Sequence, residues 1–140
     1  MPQRSELGHG EAQQIIDAVR GEFESRGAGA AVAVVDPHGE LIALLRTDGC
    51  PLPSINNAIH KAFTAAREGV ESAVIGERSR QEAFPMTNFG DLRYTGWGGG
   101  VPIIEDGRVI GAVGVSGLPE EVDIELAHLG AAIIAPGSLT

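Results

Sequence analysis

Two pairs of short apolar segments, each joined by a tight-turn sequence, most constrain what this chain can fold into. The first pair spans residues 30–46 and turns at 36–39 (Asp-Pro-His-Gly), and the second spans 101–115 and turns at 105–107 (Glu-Asp-Gly). Proline presets φ, glycine accepts positive φ, and Asp-Gly between apolar segments is a strong hairpin signal. The sequence therefore predicts two β-hairpins. Because their strands are continuously apolar, we expect both sheet faces to be covered, by helices or by a partner subunit.

The segments before, between and after these hairpins have the sequence periodicity of helices. Apolar residues recur there at steps of three and four, which is typical of a helix with one buried side. Gly27 is a natural stop for the first helix, and Ser54 is a candidate N-cap for the second. The predicted helices run from residue 11 to the stop at Gly27 and over residues 54–68, 71–82 and 120–135. Helices with two hairpins predict an α+β fold that packs helices on a mostly antiparallel sheet.

The length and net charge of the chain limit its domain organisation and the classes of partner it can bind. The chain has 140 residues, which suits one domain, and we predict a flexible N-terminal tail at 1–9 and a single domain at 10–140. The net charge is −9, which argues against nucleic acid and against an anionic membrane surface as partners. A small anionic ligand stays compatible with this charge, because a few arginines can dominate one pocket.

Cysteine and histidine usage excludes several site classes. Cys50 is the only cysteine, so no intrachain disulfide can form. The first residues lead into no apolar signal segment, and we expect a cytoplasmic location. The four histidines stand far apart without HxH or HExxH spacing, so the sequence predicts no metal site.

An irregular segment at 83–100 holds four of the six aromatic residues and is the first candidate site. Long loops of this kind are often functional. Arg93 could bind a carboxylate in bidentate fashion, Tyr94 could act as an acid or ligate haem iron, and Trp97 could wall an apolar pocket. Asn88 is a further candidate ligand-binding residue. The alternative is that the aromatic residues only pack beneath the loop.

The second predicted helix and the glycines at 98–100 supply the other candidates. His60 could exchange a proton near neutral pH or ligate haem iron, and Lys61 could supply a cation or a nucleophile. Gly99 and Gly100 could present backbone N–H groups to an anion. The alternative for His60 and Lys61 is a helix face exposed to solvent or to a neighbouring subunit. The alternative for Gly99 and Gly100 is tight packing of the sheet against a helix.

Several motifs resemble those of the GlcG/HbpS family, also called the haem-degrading or PduO C-terminal-like family. They occur in the family's order over roughly residues 11–135, while Asn56 and His60 depart from its pattern. The resemblance implies a profilin-like fold with a five-stranded antiparallel sheet flanked by helices, and assembly into homo-oligomers. It also implies haem as a candidate cofactor, and other members are linked to cobalamin or to small-acid catabolism. The motifs are Ala-Val-Val-Asp-x-x-Gly at 33–39, Lys-Ala-x-Thr-Ala at 61–65, Gly-Gly-Val-Pro-Ile at 99–103, Gly-Ala-Val-Gly-Val-Ser-Gly at 111–117, and Asp123.

Three functions are compatible with these residues. The first is a binding protein for haem or another small ligand. The second is a cofactor-free enzyme for a small organic acid, of tautomerase, hydratase or deaminase type, in which Arg93 grips the carboxylate and His60 or Tyr94 moves a proton. The third is a structural or signalling oligomer without a ligand. The polar stripe on the second helix suits a neighbouring subunit, so a site between subunits is a further hypothesis.

Overall fold

Four antiparallel strands form the sheet in the computed structural model, which describes residues 4–136. The two predicted hairpins supply them in pairs, and β1 also pairs with β4, which joins the hairpins into one sheet of order β2-β1-β4-β3. The predicted α+β class is confirmed. The strands are β1 (Ala31–Val35), β2 (Leu41–Arg46), β3 (Gly100–Glu105) and β4 (Arg108–Ser116).

The fifth strand implied by the family resemblance is wrong for the described residues. The sequence itself provides only two hairpins, and the remaining long connection, between residues 83 and 99, forms no strand. Its only regular element is a short 3₁₀ turn at Met86–Phe89. Frequent glycine and a proline disfavour a paired strand here, because glycine weakens strands and proline cannot donate to a ladder.

Four helices pack around the sheet, and each begins and ends within two residues of its predicted bounds. α2 packs on one face, chiefly over β4, β1 and β3, whereas α1 and α4 pack on the other. The start of α2 differs from the prediction, because the N-cap is Pro51 and Ser54 already lies inside the first turn. Ser54 therefore does not cap the helix. The helices are α1 (His9–Ser25), α2 (Leu52–Glu68), α3 (Ser72–Glu82) and α4 (Glu120–Ile134).

The two strands of the first hairpin differ in burial. Every residue of β1 is buried, as its unbroken apolar sequence predicts. β2 is only partly covered, because α2 barely reaches it, and Leu41 and Leu44 remain 48% and 38% exposed. Helices therefore cover both faces of β1, whereas on β2 the prediction leaves coverage to a partner subunit.

Part of the segment predicted as a flexible tail is held against the domain. Leu7 is buried, and its backbone N–H donates to the carbonyl of Ile110 at 2.9 Å. Arg4 donates to the Glu105 carboxylate at 2.8 and 2.9 Å and also pairs with Glu11. The tail prediction missed these contacts because one leucine among polar residues gives no periodic signal. In the part of the chain described, no helix has the length and apolarity needed to cross a membrane.

Candidate functional site

The predicted site residues separate into two groups around α2. His60 lies on the side of Arg93 and Tyr94, whereas Lys61 points into the space beside Gly99. Consecutive residues of a helix are about 100° apart, so neighbours in sequence serve different surfaces. Asn88 lies exposed in the 3₁₀ turn, where its only hydrogen bond among the described residues is from its backbone N–H to Pro85.

A cleft of about 320 Å³ opens beside Lys61. Its walls come from the first half of α2, the segment before β3, the end of β4 and the start of α4. Trp97 is 62% exposed. The side chains that line it include Ser54, Asn57, Lys61, Trp97, Ser116 and Asp123.

A buried ion pair is part of the wall of this cleft. Lys61 Nζ lies 3.1 Å from Asp123 Oδ2 and donates to the Val115 carbonyl at 2.9 Å, and both charged side chains are only 4% exposed. The other Asp123 oxygen accepts from the backbone N–H of Leu118 at 3.2 Å. Burial raises the pKa of Asp123, and the charge of Lys61 acts in the opposite direction. Together with the bond to Val115, the pair links α2, β4 and α4 near the end of β4.

The glycines at 98–100 do not form an anion-binding nest. Gly98 donates its N–H to Glu120 Oε2 at 2.7 Å, and Gly100 donates to Ser72 Oγ at 2.9 Å. Gly99 has a φ of +123°, and a Cβ placed there would lie 3.1 Å from Lys61 Nζ. Two of the three amide N–H groups are therefore already bonded to side chains of this chain. The absence of side chains at these glycines lets the backbone lie close to Lys61, which agrees with the alternative of tight packing.

Arg93 is already bound by two carboxylates. Its Nε and Nη2 donate to Asp91 at 3.1 and 2.9 Å, and its Nη1 donates to Glu40 at 2.9 Å. The guanidinium lowers the pKa of Asp91 to about 2, mainly through the side-chain hydrogen bond. It also stacks 4.0 Å from the Phe63 ring centroid. A ligand carboxylate would have to displace Asp91 or Glu40 to use it as a clamp.

Tyr94 is engaged in an aromatic cluster. Its hydroxyl donates to Glu68 at 2.8 Å, and its ring stacks on Phe89 at 4.3 Å and meets the edge of Phe63 at 5.4 Å. Burial, and next the bond to the Glu68 carboxylate, raises the pKa of Tyr94 to about 12. The phenol is therefore protonated and already bonded at neutral pH, which makes it a poor proton shuttle.

Tyr94 is the only tyrosine of the chain, so its ionisation can be followed directly. In a titration of absorbance near 295 nm, we expect a midpoint close to pH 12 for the native protein. Glu68→Gln should lower this midpoint, because it removes the negative charge that disfavours the phenolate. Glu82→Gln is the matched control and should leave it unchanged. A native midpoint at the ordinary value of about 10 would contradict the described contacts.

His60 keeps an available imidazole. Its carbonyl accepts from Thr64 Oγ at 2.9 Å, but its ring has no hydrogen bond to any residue between 4 and 136. Burial lowers the pKa of His60, Arg93 lowers it further, and Asp91 partly opposes them. The imidazole is therefore neutral at neutral pH and has a lone pair to offer.

Comparison with known proteins assigns the family. Residues 7–132 match the family model described as "Haem degrading protein HbpS-like". The chain belongs to this HbpS-like family. It is 35% identical over 130 residues to protein GlcG of Escherichia coli strain K12, which covers 89% of this chain and 91% of GlcG. The motif-based identification is thus confirmed.

Three solved structures share the fold of this chain. The crystal structure of HbpS has a TM-score of 0.85 at 29% identity and covers 96% of this chain and 94% of HbpS. Protein ORFY of Klebsiella pneumoniae has a TM-score of 0.86 at 27% identity, covering 95% of this chain and 93% of ORFY. A haem complex of PduOC has a TM-score of 0.85 at 24% identity and shares the fold. The match covers 92% of this chain and 95% of the PduOC chain.

Parts of four of the five HbpS-like motifs of this chain meet at the cleft. Lys61, the glycines at 99–100, the Ser-Gly pair at 116–117 and Asp123 stand far apart in sequence and lie together in the structure. Sequence reasoning missed Ser54, Asn57 and Ser116, because isolated polar residues carry no spacing signal. An aspartate inside the apolar last helix was the one available hint of a buried partner. No group of three metal-ligating side chains occurs within residues 4–136.

Proposed function

We propose that this HbpS-like protein binds haem, with the imidazole of His60 as an axial ligand of the iron. The observation that carries the proposal is the neutral His60 ring, which has no hydrogen bond to another described residue. Neutral imidazole is a common axial ligand of haem iron. The description of the family as haem-degrading supports the choice of ligand.

The surface around His60 suits an amphipathic macrocycle. Leu92, which is 89% exposed, precedes Arg93, and Leu41, which is 48% exposed, follows Glu40, so two exposed leucines flank the Arg93–Glu40 ion pair in sequence. Arg67 lies 4.8 Å from the Phe63 ring and forms no ion pair within the described part of the chain, so its charge is available to a propionate. When bound, haem would supply an iron for one-electron or oxygen chemistry.

We further propose that a second copy of the chain covers this surface. Leu41 and Leu44 lie on β2, which α2 barely reaches, and Leu52 at the start of α2 is 74% exposed. Exposed apolar patches of this kind mark interaction surfaces. A homo-oligomer would bury these leucines and enclose a haem that one chain leaves open on one side.

Haem titration of the purified protein tests the proposal. We expect a saturable Soret band, and we expect His60→Ala to weaken binding by more than the roughly 10–100-fold that loss of an outer-shell partner costs at a metal site. His128→Ala is the matched control, because His128 bonds to Glu71 on another surface. Tyr94→Phe should also retain the band, since its hydroxyl is held by Glu68. An unchanged band in His60→Ala, or an equal loss in His128→Ala, would refute the assignment.

A further inference from the structure

Several polar groups in the Lys61 cleft have unused hydrogen-bonding capacity. Ser54 and Ser116 are only 7% and 5% exposed, yet neither hydroxyl bonds to another residue between 4 and 136. No fully buried side-chain nitrogen or oxygen in this range lacks a partner. The exposed remainder of each hydroxyl therefore opens into the cleft, and the Asn57 amide in the same wall is likewise unbonded within the described chain.

Lys61 adds a fixed donor to this set. An ammonium group has three N–H donors. Two of them go to Val115 and Asp123, so one has no partner among the described residues. Because a backbone carbonyl and a carboxylate hold Nζ from two directions, the remaining N–H has a defined orientation. It can donate to a ligand oxygen without the entropic cost of ordering a long side chain.

The charges of the cleft disfavour an anion. Its wall holds one lysine against two carboxylates, and Asp123 already compensates Lys61 at 3.1 Å. Glu120 contributes the second negative charge, with one oxygen bound to the Gly98 N–H. A carboxylate entering the cleft would meet this excess negative charge in a partly desolvated space, where electrostatic repulsion is stronger than in water.

We propose that this cleft is a second binding site, separate from the His60 surface, for small uncharged compounds with hydroxyl or carbonyl oxygens. Lys61 and the Ser54 and Ser116 hydroxyls contact those oxygens, and the Trp97 ring covers the carbon skeleton. The volume of about 320 Å³ is at the lower end of the range for small-molecule pockets, which suits a short polyol or hydroxyamide.

The test compares lactamide and lactate, which have nearly the same shape and differ in charge, and adds glycerol as an uncharged polyol. Lactamide, glycerol and lactate are titrated into ¹⁵N-labelled protein, and amide shifts are followed together with the indole N–H of Trp97, the only tryptophan. We expect saturable shifts with lactamide and glycerol at residues that line the cleft, with Trp97 and Gly117 among them. Lactate should bind at least about tenfold more weakly, which corresponds to about 1.4 kcal/mol.

Variants separate the cleft from the rest of the molecule. Ser54→Ala and Asn57→Ala should each weaken lactamide binding several-fold, and Ser25→Ala on α1 is the matched control. Glu120→Gln should narrow the difference between lactamide and lactate, because it removes the uncompensated charge. Absence of saturable shifts with both uncharged probes, or equal or tighter binding of lactate, would overturn the proposal. The Soret measurement on His60 is independent of either outcome.

Discussion

Replacing Lys61 by methionine is expected to lower the free energy of unfolding by about 3–5 kcal/mol, because it leaves a buried carboxylate without its partner. Asp123 would lose the Nζ contact at 3.1 Å, and the Val115 carbonyl would lose its 2.9 Å donor. Methionine keeps the length of the apolar stem, so packing changes little. Urea unfolding followed by circular dichroism measures the difference.

A double variant distinguishes loss of pairing from loss of packing. Lys61→Met combined with Asp123→Leu removes both charges, and we expect it to recover most of the stability, because apolar replacement of a buried pair is often neutral. Arg80→Met is the control, since Arg80 and Glu77 form an exposed pair worth at most about 1 kcal/mol. A Lys61→Met protein as stable as the Arg80→Met protein would show that the buried pair is not a structural link.

Hairpins and helices could be predicted from the sequence because they depend on local signals. The turns at 36–39 and 105–107 contain residues that favour tight turns, and β3 and β4 form where the second turn places them. One local error concerns the start of α2. Ser54 was chosen as the N-cap by residue type, whereas Pro51 occupies the N-cap position. The exposure of β2 has no local signal, because it depends on how far α2 extends over the sheet.

The candidate site was harder to predict because it depends on contacts between distant segments. Arg93 and Lys61 were recognised as cations, but Asp91 and Glu40 bind the first and Asp123 binds the second. No spacing rule relates Lys61 to a residue 62 positions away. The sequence therefore identified residues whose side chains could bind a ligand or transfer a proton. The ion pairs seen in the structure determine which of these side chains are available to a ligand.

Glycines on two paired strands set the height of α2 above the sheet and thereby the position of Lys61. Gly100 and Gly114 are register partners on β3 and β4. A Cβ at Gly100 would lie 2.1 Å from the Lys61 carbonyl oxygen, and a Cβ at Gly114 would lie 2.0 Å from that of Ala58. Because both obstacles are backbone atoms of one helix, rotating a side chain cannot relieve the overlap, and α2 itself would have to move.

Gly114→Ala is accordingly expected to cost about 3 kcal/mol or more, at the upper end of the range for overpacked cores. Movement of α2 should also disturb the Lys61–Asp123 pair, so the amide resonances of Val115 and Leu118 should shift in any folded fraction. Gly21→Ala is the matched control, because a Cβ there meets nothing within 4 Å and α1 should gain about 0.5–1 kcal/mol. Urea unfolding of both variants checks the comparison. Similar stability of the two would mean that α2 is not held at this distance by the glycine pair.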